Sequence, residues 1–283
     1  MTEALVPRSE VIVPQVAPST SEVPLRRVFL AVSRSEWAKL HTVRATMWSL
    51  ILAVVSTIGL GLLLTALVVS RWDQRSLSEV MGFDPVLYAY AGLNVAQMCF
   101  GVLGVLVMTS EYATGAIRLT FAATPQRRLV LGAKVLTFSA VVAVVSLASC
   151  VAVFFICQAI LDTKHAGVSI TDPGVLRAVL GGAVHMVLIG GIAVGVGAIV
   201  RHTAGAVAIL FTVLLVIPGL VTLLPAPWSN DITLYLPNSA GAAMSAVVRF
   251  PNLVAPTAGF LVLLGYAAAT LGVAMVVLVR RDA

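Results

Sequence analysis

Six runs of this sequence are each long and apolar enough to cross a lipid bilayer as a helix, which takes about 20 mostly apolar residues. They are 48–70, 86–109, 129–161, 176–200, 204–224 and 257–279. The third is longer than a bilayer requires, and Lys134 near its start is expected to snorkel its ammonium to the headgroups. Composition agrees with the runs. Hydrophobic residues make up 59 % of the chain and charged residues 11 %, against about 25 % charged in a soluble domain. Mean hydropathy is +1.02. Such a chain cannot clothe a water-facing surface in polar groups, so lipid is its solvent. The expected fold is an all-α membrane protein with six transmembrane helices.

An even number of spans puts both ends of the chain on one side. Lys and Arg gather on the cytoplasmic side of membrane proteins. With the N-terminus inside, 13 of the 18 basic residues fall there: Arg8, Arg26, Arg27, Arg34, Lys39, Arg44, Arg118, Arg127, Arg128, Lys134, Arg201, Arg280 and Arg281. The 12 acidic residues divide six and six, so the bias is not one of net charge. The expected topology has both termini cytoplasmic. The net charge of +6 is scattered over short connectors rather than drawn into one stripe with stacking aromatics, which argues against a nucleic-acid partner. Residues 1–25, with Pro7, Pro14, Pro18 and Pro24, read as a flexible extended tail without an evident signal peptide.

Residues 26–47 wind into an amphipathic helix. Phe29, Val32, Leu40, Val43 and Met47 fall on one arc, with Trp37 at its edge, while Arg27, Arg34, His41 and Thr42 fall opposite. A helix lying in the membrane interface has this pattern, and so does a soluble helix packed on a partner. Glu36 sits within the apolar arc and needs a cation, with Lys39 at i+3 or an arginine from another connector available.

The connector between the second and third spans holds Glu111, Gly115, Ile117, Arg118, Phe121, Pro125, Arg127 and Arg128. Gly115 can stop the preceding helix and Pro125 disfavours helix at Thr124. Between these breakers lies either a helix of about two turns, with Ile117 and Phe121 on one face, or an ordinary interfacial loop. Glu111 stands where the second span ends. A carboxylate is unfavourable near a helix C-terminus, so it calls for Arg118, Arg127 or Lys134. The connector 225–256 contains the stretch 239–248, too short to cross a bilayer; it reads as one or two re-entrant or interfacial helices, or as a cap on the outer surface.

Catalytic machinery is not legible. The sequence has no phosphate-binding loop, no nucleophile elbow, and no metal-ligand set among the scattered His41, His165, His185 and His202. Cys99, Cys150 and Cys157 lie in apolar runs as small hydrophobes. His185 is the one ionisable group near the middle of a span, either a packing residue or a relay. In the second span Tyr90, Asn94, Gln97, Gly101 and Gly104 recur at spacings of three and four, a stripe that suits a subunit seam, a substrate path or plain helix packing.

Taken in order, these residues resemble a family. Ser35-Glu36-Trp37-Ala38-Lys39-Leu40 is similar to the interfacial helix of the type-2 ABC transporter permeases, the membrane subunits of exporters. Glu111-Tyr112-Ala113-Thr114-Gly115, followed by Pro125-Gln126-Arg127-Arg128 and Lys134, resembles their first cytosolic loop, and Arg201-His202-Thr203-Ala204-Gly205-Ala206 resembles their connector between spans four and five. The resemblance implies a plasma-membrane permease that pairs with a second permease subunit. It also implies a separate ATP-binding subunit that carries the ATP and Mg, with no cofactor on this chain. Residues 115–121 would form a coupling helix on that subunit. Glu36, Trp37 and Lys39 would meet the first loop, and the stripe on the second span would line the seam with the fifth. A secondary carrier or channel built on His185, and a membrane scaffold or sensor that moves nothing, are the other classes open to this sequence.

Overall fold

The computed structural model describes residues 25–124 and 126–280. The described residues contain thirteen α-helices and no strand. Amphipathic helix α1 (Leu25–Thr42) leads into α2 (Arg44–Ser70), the first of six helical stretches long and apolar enough to cross a membrane. Short helices α3 (Leu77–Met81) and α4 (Pro85–Ala89) follow, then α5 (Leu93–Thr114), α6 (Ala116–Ala123) and α7 (Arg127–Leu161). Next come α8 (Val175–Val200), α9 (Thr203–Phe211) and α10 (Ile217–Val221), then α11 (Ala226–Tyr235), α12 (Pro237–Ser245) and α13 (Pro256–Arg280). The chain is an all-α, multi-pass membrane protein. The expected tail 1–25 lies outside the described residues except for Leu25, which opens α1.

Helix α8 is the axis of the bundle. In its most apolar stretch 67 % of residues are buried, against 22 % for α13, so α8 is wrapped by protein while α13 faces outward. Helices α5, α7, α12 and α13 pack around it. Small residues bring them close: a β-carbon on Gly104 of α5 would stand 2.7 Å from the Gly190 carbonyl oxygen of α8, and one on Gly190 would stand 2.7 Å from the Phe138 ring of α7. In lipid, backbone proximity of this kind does much of the work of association.

Three boundaries differ from those read in the sequence. The amphipathic helix does not run through 26–47 but ends at Thr42, because Val43 is extended (φ −84°, ψ 118°). Val43, at the break, is about half-exposed, as is Trp37 within α1, and Glu36 and Leu40 are the buried pair of the helix. The second span does not run unbroken from 86 to 109 but is kinked by a 3₁₀ turn, Tyr90–Gly92, where Gly92 lies against the α2 backbone at Ser56 and Thr57; it continues to Thr114, so Glu111 lies inside its last turn. The fifth span does not hold a single α-helix over 204–224. It passes through a π-turn, Thr212–Val216, and ends at Val221. Pro218 has no N–H for the carbonyl four residues back. That carbonyl, Leu214, accepts instead from the Asn238 side chain at 2.8 Å.

The connector 225–256 forms a helical hairpin that enters the bundle. Asn238, at the start of α12, reaches Leu214 on the fifth span and Gln97 on α5. Much of α12 is buried against α8 and α13, which places it within the bundle and not as a cap on the outer surface. Exposed Trp228, Ile232 and Tyr235 on α11 suit the membrane interface.

Candidate functional site

The end of the bundle from which the described chain enters and leaves, here the terminal end, carries the site. Glu36 and Lys39 come from α1, Glu111 from the last turn of α5 and Lys134 from the second turn of α7. Together they close a ring of four ion pairs. Lys39 Nζ lies 2.6 Å from Glu36 Oε1 and 2.7 Å from Glu111 Oε1. Lys134 Nζ lies 2.7 Å from Glu36 Oε2 and 2.6 Å from Glu111 Oε1. Two negative and two positive charges leave the ring neutral, as buried charge must be.

Lys134 is 1 % exposed. It does not snorkel to headgroups, because both glutamates stand within its reach inside the bundle. Arg118 and Arg127, the other cations offered to Glu111, go elsewhere: Arg118 is exposed, and Arg127 lies over the Phe121 ring at 5.3 Å and donates to the Leu278 carbonyl at 2.8 Å. For Lys39, burial works to lower the pKa, but the hydrogen bonds to Glu111 and Glu36 outweigh it and raise the value above that of a free lysine. The ring borders a cavity of about 220 Å³ whose other walls include Leu40, Thr46, Leu103 and Ser110.

Below the ring hangs α6. Gly115, in the left-handed region at φ 72°, ends α5 and starts α6, a conformation that glycine adopts without strain. Thr124 closes α6 in extended form, as a residue before proline prefers. Ile117 is buried as the anchor of this two-turn helix, Phe121 is half-buried, and Leu119 is 75 % exposed at its outer face. Arg128 is exposed beside it, and Trp37 is half-exposed over His41, with ring centroids 4.4 Å apart. At the same end Arg201 stands over the Tyr112 ring at 5.2 Å.

The stripe on the second span is divided by its surroundings. Tyr90 donates to the Cys150 carbonyl at 3.1 Å, and Gly101 and Gly104 are taken up by packing against Leu210 and α8. Gln97 is buried and donates to Asn238 at 3.2 Å. Asn94 opens, with His185, into a hollow at the opposite end.

At that opposite end, here the loop end, two residues not singled out in the sequence hold the hairpin of α11 and α12. Asp84 is fully buried. Its Oδ1 accepts from the Val86 and Leu87 amides at 3.0 and 2.9 Å, and its Oδ2 from Val247 and Val248 at 2.6 and 2.8 Å. Arg177 donates to the Met244 and Ala246 carbonyls at 3.1 and 2.7 Å. Asp followed by Pro is a legible helix start, which locates one half of the Asp84 contacts; the half that crosses to Val247 leaves no local signal. Comparison with family models and with curated proteins finds no match.

Proposed function

We propose that the chain is the membrane permease subunit of an ATP-driven exporter, in which a separate ATP-binding protein docks on α6 and a second permease subunit completes the path. The observation that carries this reading is the coupling of α6 to the buried ring directly above it. A short helix with an inward anchor at Ile117 and an apolar residue, Leu119, turned outward offers a docking element. Force on α6 reaches α5 through Gly115 and α7 through the Arg127 guanidinium over the Phe121 ring, and the ring of ion pairs ties both to α1. Under this reading the terminal end is cytoplasmic, the membrane is the plasma membrane, and ATP with Mg binds only to the partner. Docking that differs between ATP states would shift the bundle between inward- and outward-open forms, as any ligand-driven change requires.

The test is a mild-detergent pull-down of the tagged full chain, followed by mass spectrometry and an ATPase assay in lipid. A soluble ATP-binding protein in comparable amount, lost with Leu119→Asp while the variant still inserts and melts normally, upholds the proposal. A chain that purifies alone and shows no ATPase activity in its native membrane overturns it.

A further inference from the structure

Two adjoining hollows at the loop end carry chemistry used by neither the ring nor α6. The outer one, about 420 Å³, is bounded by Leu67 and Val68 of α2 and by Arg71, Arg75 and Glu79 beyond it. The inner one, about 450 Å³, passes Leu87 and Leu93 and reaches Asn94, His185 and Asn238. Leu64 and Tyr88 stand in both walls, so the two hollows are neighbours divided only by this pair of side chains. No carboxylate, lysine or arginine lines the inner hollow. The mouth is basic and the interior is apolar with neutral polar groups.

The acids of the connector beyond α2 are already engaged. Asp73 pairs with Lys164 at 2.6 Å. Glu79 accepts from the Ser76 hydroxyl and amide at 2.7 and 2.8 Å, closing a capping box. Asp84 holds four backbone amides. Neither Arg71 nor Arg75 has a carboxylate within 4 Å among the described residues, and the one acid that lines the same hollow, Glu79, feels Arg75 only through longer-range attraction, so two cations face one anion at the mouth. The Arg75 guanidinium is also fixed in place, 5.5 to 5.8 Å from the ring centroids of Phe83, Trp72 and Tyr88. A positioned guanidinium takes phosphate or carboxylate in bidentate fashion. Deep in the inner hollow, His185 is 5 % exposed and its Nε2 has no hydrogen-bond partner among the described residues, an atom that a polar group on a ligand can satisfy.

From this juxtaposition we infer that the two hollows bind an anionic amphiphile, its phosphate or carboxylate head at Arg71 and Arg75 and its apolar chain running past Leu64 and Tyr88 toward Asn94 and His185. The inference stands apart from the exporter reading, since the site is complete within one chain and needs no ATPase. Its ligand comes either from the bilayer, as an anionic lipid, or from solution, as a single-chain amphiphile.

Trp72 beside Arg75 is a built-in reporter. The full chain, with Trp37→Phe, Trp48→Phe and Trp228→Phe, is placed in phosphatidylcholine nanodiscs and titrated with tetradecyl phosphate, tetradecyl phosphocholine and inorganic phosphate. Saturable change in Trp72 emission is expected with tetradecyl phosphate, at least tenfold tighter than with either control. Arg71→Gln with Arg75→Gln, the first exposed and the second half-buried among the rings, should weaken it at least tenfold with the melting temperature preserved. Ala91→Phe, which fills the inner hollow, should weaken tetradecyl phosphate and leave any inorganic phosphate signal unchanged; a preserved melting temperature shows that the variant folds. Displacement by phosphatidic acid in the disc assigns the ligand to the bilayer, and binding indifferent to phosphatidic acid assigns it to solution; both uphold the site. Equal affinity for the phosphocholine analogue, equal affinity for inorganic phosphate, or no saturable change overturns it.

Discussion

At the terminal end, buried carboxylates are answered by lysine side chains; at the loop end, a buried carboxylate is answered only by backbone amides. Glu36 and Glu111 share Lys39 and Lys134 across three helices. Asp84 collects the amides of Val86, Leu87, Val247 and Val248, and so pins the return from α12 to the start of α4. The first arrangement joins helices through long side chains with several rotatable bonds, which can keep their pairing while the helices shift. The second fixes main chain to main chain through one short side chain and tolerates little displacement.

The largest expected effect breaks the ring. Lys134→Met leaves two buried carboxylates with one half-exposed lysine, and removing one partner of a buried pair costs about 3–5 kcal/mol. Thermal unfolding in lipid should show the loss, and adding Glu111→Gln should recover part of it; equal melting of Lys134→Met and the native chain would mean that the ring is wet and loose. Asp84→Asn should cost about 2–3 kcal/mol, because the new amide donates toward amides that need an acceptor. Amide exchange at Val247 and Val248 should rise with it, and unchanged protection there would remove Asp84 from its role in the hairpin. Gly181→Ala should cost about 1–3 kcal/mol by overpacking, since its methyl would run into the Met244 backbone carbonyl; a variant that melts normally would show that α12 can slide on α8. Smallest of all, Lys39→Ala should cost about 0.2–1 kcal/mol, as its side chain is 44 % exposed. Because the folded pKa of Lys39 is raised, its contribution is complete below the unfolded value of about 10.4 and is lost only as pH rises through the folded one. The difference in melting between Lys39→Ala and the native chain should therefore stay constant from pH 6 to 9.

How much could be read in advance varied with the range of the interaction. The spans were legible because hydropathy is a local sum over about 20 residues, and Val175–Val200 falls within a residue of its expected bounds. The bounds of Ala116–Ala123 were legible because Gly115 and Pro125 are local breakers, while the choice of helix over loop between them came from the structure. Glu36 and Glu111 stood out as carboxylates in the wrong place. Lys134 was one of three cations open to Glu111, but its pairing with Glu36 as well was not legible, since a lysine near a helix end reads as a snorkelling one until a neighbouring helix closes over it.

Sequence alone therefore determined the solvent, the number of spans, the amphipathic helix ahead of them and the two breakers that bound the first connector, all set by periodicity and chain-local sterics. Only the tertiary structure decided which charges meet, that the stripe on the second span is shared out among several neighbours, and that Arg71 and Arg75 are left facing a hollow. Many of those outcomes depend on residues from separate helices, such as Glu111 with Lys134, 23 positions apart, Tyr90 with Cys150, 60 apart, and Glu36 with Lys134, 98 apart. Nothing in the local chain specifies which distant backbone group comes within 3 Å of a buried side chain; the packing of the helices around α8 does.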